Sequence, residues 1–245
     1  MGRFYAGTSG WAYASWKRGF YPKNLRADDF LGYYAERLNS VEVNYSFLHA
    51  LTKDTVTEWI AVTPAHFRFA IKAPQLITHL KRLRGVKRPM RKFLSSVGPI
   101  AAANKLGPVL FQLPPNMKCD PILLRDFLAG LPPQPRAAFE FRHASWFADG
   151  VFEILRNAHA ALCHAESEKL ETPPVETADF SYLRLRKDRY PPKSRKELAR
   201  RVAGLAQRGD VFVYFKHEKT PAGALHAEEL LAAINRPPGS GTAPL

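Results

Sequence analysis

The sequence predicts an α/β fold, a TIM-type (β/α)8-like barrel in a single domain, and three observations carry that prediction. Eight short apolar runs alternate with seven stretches of helical periodicity. The 245 residues come close to the roughly 250 that such a barrel occupies. The polar residues, finally, collect at the C-terminal ends of the apolar runs, where a barrel gathers its βα loops. A doubly wound open sheet shares the alternation and is the alternative fold.

The elements follow in order. Phe4–Thr8 is the first strand, and Asp28–Leu38 a helix with Phe30, Leu31, Tyr34 and Leu38 on one face. Val41–Asn44 is a strand, Lys53–Val62 a helix, Phe67–Lys72 a strand and Met90–Leu106 a helix. Val109–Leu113, Ala137–Phe141 and Ala161–His164 read as strands, with helices at Ile122–Leu131 and Val151–His159 between them. The connection that follows, Ala165–Asp179, is polar and contains Pro173–Pro174, so it is expected to be irregular. Strand Phe180–Arg184 precedes a helix over Arg195–Gln207, for which Ser194 and Glu197 have the spacing of a capping box. Strand Val211–Lys216 and helix Ala224–Ile234 complete the set. The barrel domain is thus expected over residues 1–235, and 236–245 (RPPGSGTAPL) as a disordered tail. There is no internal repeat and no interdomain linker.

Composition narrows the function classes. No run of about 18 apolar residues exists, so a membrane span is not expected. Met1–Tyr5 leads straight into strand-like sequence without a secretory pattern, and Cys119 and Cys163 fit neither a disulfide framework nor a metal knuckle. A cytoplasmic protein with two free thiols is the expectation. Gly7-Thr-Ser-Gly10 is neither a P-loop nor a dinucleotide fingerprint, so no nucleotide cofactor is expected. The formal charge of +14 is concentrated: residues 81–92 carry a net +7 and residues 186–201 a net +6. Two such blocks suggest a localised field for an anion.

The strand ends supply the candidate site. Ser9 ends the first strand, and Glu42 and Asn44 share one face of the second. Lys72 ends the third, Gln112 the fourth, and Glu140 with Arg142 the fifth. His164 ends the sixth, Arg184 and Arg186 share a face of the seventh, and Lys216 with His217 closes the eighth. Buried charge is costly unless paired, so charge at so many strand ends points to a site or to an internal ion-pair network.

Six segments also resemble the YecE-like family: GTSGWAYASW (7–16), FYP (20–22), VEVNYSF (41–47), FRFAIKAPQLITH (67–79), GPVLFQLPP (107–115) and FEFRHASWF (139–147). The resemblance implies a (β/α) barrel with its site at the strand ends, and it supplies no settled reaction. In the last third this chain departs from the family pattern. A strand usually read as Tyr-x-Arg-x-His-Gly is here YLRLRK, with Arg186 and Lys187 in the last two places, and Lys216-His217 stands where an Asn pair is usual.

Candidate roles follow from side-chain chemistry. Glu140 is the candidate acid/base, with Glu42 as a second carboxylate; Lys72 is an electrostatic clamp, an ion-pair partner or an amine nucleophile. Ser9, Trp11, Asn44, Gln112, Arg142, Trp146, Arg184, Arg186 and Lys216 are candidate substrate contacts, the two tryptophans as stacking surfaces or rim packing. A divalent metal held by Glu42, Glu140, His164 and Glu166 is disfavoured by the cations crowding the same mouth, so no cofactor is expected. His79 reads as a capping or packing residue, and His143 and His217 are ambiguous. Two functions compete, beside a third reading in which the chain is a non-catalytic scaffold whose polar barrel mouth is a relic. One is binding or processing of a phosphorylated or otherwise anionic small molecule at the barrel mouth. The other is nucleic-acid binding or processing through basic loops 81–92 and 186–201.

Overall fold

A computed structural model of the chain describes residues 2–166, 170–187, 189–216 and 219–235; the tail 236–245 and His217 lie outside them. Strands β1 (Phe4–Thr8), β2 (Ser40–Val43), β3 (Arg68–Lys72), β4 (Leu106–Gln112), β5 (Ala137–Glu140), β6 (Ala161–Ala165), β7 (Phe180–Leu185) and β8 (Asp210–Phe215) alternate with helices. These are α1 (Phe30–Arg37), α2 (Lys53–Val62), α3 (Lys87–Ala102), α4 (Pro121–Ala129), α5 (Asp149–Asn157), α6 (Pro192–Ala206) and α7 (Ala222–Asn235). All pairings are parallel, in the order β1-β8-β7-β6-β5-β4-β3-β2, and a bridge between Ser9 and Glu42 brings the two ends together. The result is the expected (β/α)8-like barrel rather than an open sheet.

Local chemistry sets the helix starts. The Thr52 hydroxyl accepts the Thr55 N–H at 3.2 Å to cap α2, and the Asp120 carboxylate accepts the Leu123 N–H at 3.0 Å to cap α4. The expected capping box at Ser194 does not form. Helix α6 begins at Pro192, whose fixed φ and missing N–H suit the first helical position, so Ser194 lies inside the first turn. Helix α3 ends at Ala102, short of the expected Leu106, because Asn104 turns the chain at φ 53° and Leu106 already begins β4. After β6 no helix forms among the described residues. Instead the Thr177 hydroxyl accepts the Leu162 N–H at 2.8 Å and donates to the Ala160 carbonyl at 2.7 Å, satisfying that edge of β6.

The β1–β2 seam is where the barrel closes, and side chains stitch most of it. Asn39 donates to the Phe4 carbonyl and accepts the Ala6 N–H, both at 2.8 Å. The Tyr34 hydroxyl accepts the Thr8 N–H at 2.8 Å and donates to the Ser40 carbonyl at 3.0 Å. Gly7 lies against Ser40 at this point: a Cβ on residue 7 would sit 1.8 Å from the Ser40 carbonyl oxygen.

Alternation then divides the side chains of each strand. One set, including Phe69, Phe111, Phe139 and Val213, packs outward under the helices. The other set fills the barrel: Tyr5 stacks on Phe212 at 4.6 Å, with Ala70, Leu110, Ala138, Cys163 and Tyr182 around and above them. Both cysteines are free, and burial pushes the Cys163 thiol well up, which leaves it a small apolar filler. The layer above this apolar plug is charged. No described helix is long and apolar enough to cross a membrane.

Candidate functional site at the barrel mouth

The inward positions that end β2, β5 and β7 are Glu42, Glu140 and Arg184, and all three are buried. The Arg184 guanidinium lies between the carboxylates, donating to Glu42 at 2.7 Å and to Glu140 on its other side. Glu42 also accepts the hydroxyls of Ser9 and Tyr182, each at 2.7 Å. Glu140 accepts the Gln112 amide at 2.9 Å, Arg142 Nε at 3.1 Å and Arg186 at 3.0 Å. Burial alone would favour the neutral acids. Arg184, the other guanidiniums and the hydrogen-bond donors overcome it, and both carboxyls are held below the usual carboxylate range, Glu140 far below it. Arg184 responds in the opposite direction: burial disfavours its charge, yet the two carboxylates hold it well above its ordinary value.

A carboxylate so depressed and so fully hydrogen-bonded is a weak base. The geometry therefore gives Glu140 a different task, that of holding Arg142 and Arg186 side by side at the opening. The Arg142 side chain is 35% exposed and engages Glu140 through Nε, which leaves the terminal N–H groups directed elsewhere. Arg186 is 17% exposed and leans on both Glu140 oxygens, at 3.0 and 3.2 Å.

Lys72 is the fourth cation of this layer. Its ammonium lies over the Phe47 ring, 3.9 Å from the centroid, and among the described residues it makes no hydrogen bond or ion pair. Burial, reinforced by Arg184 and Arg142 and opposed by Glu42 and Glu140, pushes Lys72 down to about 8. His79 packs edge-on against the same Phe47 ring at 4.9 Å, with Nδ1 at 2.9 Å from the Thr78 hydroxyl. Burial and then Lys72, Arg142 and Arg82 lower its proton affinity, with Glu140 opposing them. Beyond Phe47 lies an apolar cleft of about 270 Å³, walled by Leu48, Leu76, Leu80 and Phe93. A larger surface cavity, about 810 Å³, is at the opposite end of the barrel around Arg136 and Asp179, away from the charged layer.

The sequence model of a family described as a protein of unknown function, DUF72, matches residues 5–244. The chain belongs to the DUF72 family. The UPF0759 protein YecE of Escherichia coli K12 is 30% identical over 176 residues, which is 71% of this chain and 61% of that protein. The UPF0759 protein YunF of Bacillus subtilis 168 is 30% identical over 156 residues, 61% of this chain and 54% of its own length. The matched stretch thus spans less than two thirds of either relative. Among solved structures, a DUF72 protein of Thermotoga maritima MSB8 superposes with a TM-score of 0.83 at 26% identity, covering 96% of this chain and 100% of that one. A DUF72 protein of Enterococcus faecalis V583 gives 0.81 at 18% identity over 96% of each chain and speaks for the fold alone.

In this DUF72 chain the barrel brings together Ser9, Glu42, Lys72, Gln112, Glu140, Arg142, Arg184 and Arg186. Asn44 is half-buried just past β2, with a buried Oδ1 that no described group satisfies. Lys216 is exposed just past β8, its N–H bonded to the Leu185 carbonyl at 2.9 Å. The tryptophans are not brought to the charged layer. Trp11 packs edge-on against Trp59 of α2 at 5.2 Å. Trp146 is fully buried, stacked on Phe141 at 4.6 Å, with its indole N–H given to the Met117 carbonyl. Nor is the carboxylate–histidine quartet assembled: His164 points outward to Arg201 and Glu176, and Glu166 engages Tyr190 and Lys187. Among the described residues no group of three or more His, Cys, Asp or Glu could hold a metal ion.

Sequence reasoning overlooked Tyr182 and Phe47 as site residues, and read His79 only as a capping or packing residue. Tyr182 was legible, being two residues before Arg184 on the same strand face. Phe47 and His79 come from loops after different strands, and nothing in their local sequence announces that they meet.

Proposed function

We propose that the mouth of the barrel binds a small anion, a phosphate or carboxylate group, through Arg142 and Arg186. The observation that carries this reading is the excess of cations over saturated carboxylates. Lys72, Arg142, Arg184 and Arg186 face Glu42 and Glu140, and Arg184 alone engages both acids. The two outer guanidiniums are anchored on Glu140 yet lie toward solvent, in a geometry suited to forked hydrogen bonds with an anion. The acids act as the scaffold of the site. Part of the basic surface on the loops and α6 is paired elsewhere, as in Arg84 with Asp120, Lys187 with Glu166 and Arg195 with Glu229.

Titration of the full chain with inorganic phosphate and with oxalate, followed by calorimetry, tests the reading. Arg142→Ala and Arg186→Ala should each weaken binding by about 1.5–3 kcal/mol, roughly 10- to 150-fold in Kd. Glu140 keeps Arg184 and Gln112 in both variants, so folding should persist, which a thermal melt checks. Unchanged affinity would sink the proposal. Binding to single- or double-stranded nucleic acid that weakens steeply with salt would replace it with the polyanion reading.

A further inference from the structure

Lys72 is the one cation of the charged layer whose situation the anion site does not explain. A buried lysine retained for structure finds a carboxylate or several carbonyl oxygens, as Lys105 does here: its ammonium donates to the Ile60 carbonyl at 2.7 Å and to Thr63. Lys72 has two carboxylates in its own layer and engages neither, because their lone pairs are taken by Arg184, Arg142, Arg186, Gln112, Ser9 and Tyr182. Its amine ends instead over the Phe47 ring. We propose that Lys72 is a nucleophilic amine that forms an iminium with the carbonyl carbon of a small anionic aldehyde, ketone or oxo acid seated on Arg142 and Arg186. This inference rests on the anion reading for the position of the substrate.

The chemistry is complete without a cofactor. The lone pair of neutral Nζ attacks the carbonyl carbon, and the C=O π pair moves to oxygen, which takes a proton. The nitrogen loses a proton to water; the carbinolamine hydroxyl then takes one proton from solvent, equal to the one the ammonium gave up, and leaves as water while the nitrogen lone pair closes the C=N bond of the iminium. The positive charge removed with the ammonium proton returns on the iminium, so the layer's electrostatics are the same before and after. The groups facing Nζ come from every side: Glu42 on β2, His79 after β3, Glu140 and Arg142 on and after β5, and Arg184 on β7. The Phe47 face favours the ammonium, whereas burial and the two guanidiniums oppose it. With the amine near 8 rather than its usual 10.4, the neutral fraction at pH 7 is larger by about two orders of magnitude.

The test uses the full chain with glyoxylate or pyridoxal 5′-phosphate as the probe, each reduced by borohydride, with the modified lysine located by peptide mass spectrometry. The expected result is dominant labelling of Lys72 at substoichiometric probe, rising with pH through about 8 and lost in Lys72→Arg. Labelling spread over surface lysines with Lys72 unmodified would overturn the proposal. Lys72→Met keeps the stem on Phe47 and separates loss of the amine from loss of the fold: its melt should match wild type while Lys72-peptide labelling disappears. Two further arms separate this inference from the anion reading. If phosphate binds and Lys72 stays unlabelled, the nucleophile is wrong and the anion site stands. If Lys72 is labelled equally in wild type and in Arg142→Ala, Arg186→Ala, the nucleophile stands and the anion site is wrong.

Discussion

Replacing Arg184 with Met is expected to destabilise the protein by about 3–5 kcal/mol at pH 7, the largest effect of any single substitution in the charged layer. The side chain is buried and bridges Glu42 and Glu140, so its loss strands two buried carboxylates at once. Glu140 keeps Arg142, Arg186 and Gln112; among the described residues Glu42 keeps only the hydroxyls of Ser9 and Tyr182. The pH dependence identifies the cause. In the wild type both carboxyls lie below their unfolded value of about 4.3, so their stabilisation is present above that pH and is lost as pH falls through the folded values. Without Arg184, burial governs Glu42 and raises it above the unfolded value, so the variant gains stability as pH falls toward that range. The gap between wild type and variant should therefore narrow from pH 7 to pH 4.5 in urea unfolding, and Glu42→Gln added to the variant should recover part of the loss at pH 7. A gap independent of pH would mean that Arg184 acts by packing.

The Gly7→Ala variant should lose about 3 kcal/mol, through a different mechanism. Its new methyl would lie 1.8 Å from the Ser40 carbonyl oxygen and 2.6 Å from the Tyr34 hydroxyl, the two groups that hold β1 to β2. Backbone has to move, and the Ser9–Glu42 bridge two residues on moves with it. The seam and the charged layer are thus coupled, and anion affinity should fall along with stability. Gly204 provides the control. It lies inside α6 with nothing within 4 Å of an added methyl, so Gly204→Ala should be stabilising by about 0.5–1 kcal/mol. Chemical denaturation of the two variants in parallel decides the point; equal and small effects would contradict the close approach at residue 7.

Much of this architecture was legible in the chain. The eight strands are where the apolar runs predict them, because a parallel strand covered on both faces must be apolar nearly throughout. Residues 165–179 form no helix among those described, as their prolines predict. The helix starts were less legible. Pro192 overrode the Ser194–Glu197 spacing because a proline at the first helical position is preorganised, whereas a capping box requires the chain to be non-helical at Ser194.

The site divides along the same line. Period-two alternation by itself determined that Glu140 with Arg142, and Arg184 with Arg186, share one face at their strand ends, since backbone geometry puts alternate residues on the same side of a sheet. Tertiary structure alone decided what those groups do. It put one guanidinium between two carboxylates, leaving the acids saturated rather than basic, and sent His164 outward and Trp146 into the rim. It also brought Lys72, Phe47 and His79 together from separate segments. Which charges pair depends on distances across a closed barrel, set by register and closure at the Gly7–Ser40 seam, and local sequence carries no record of those distances.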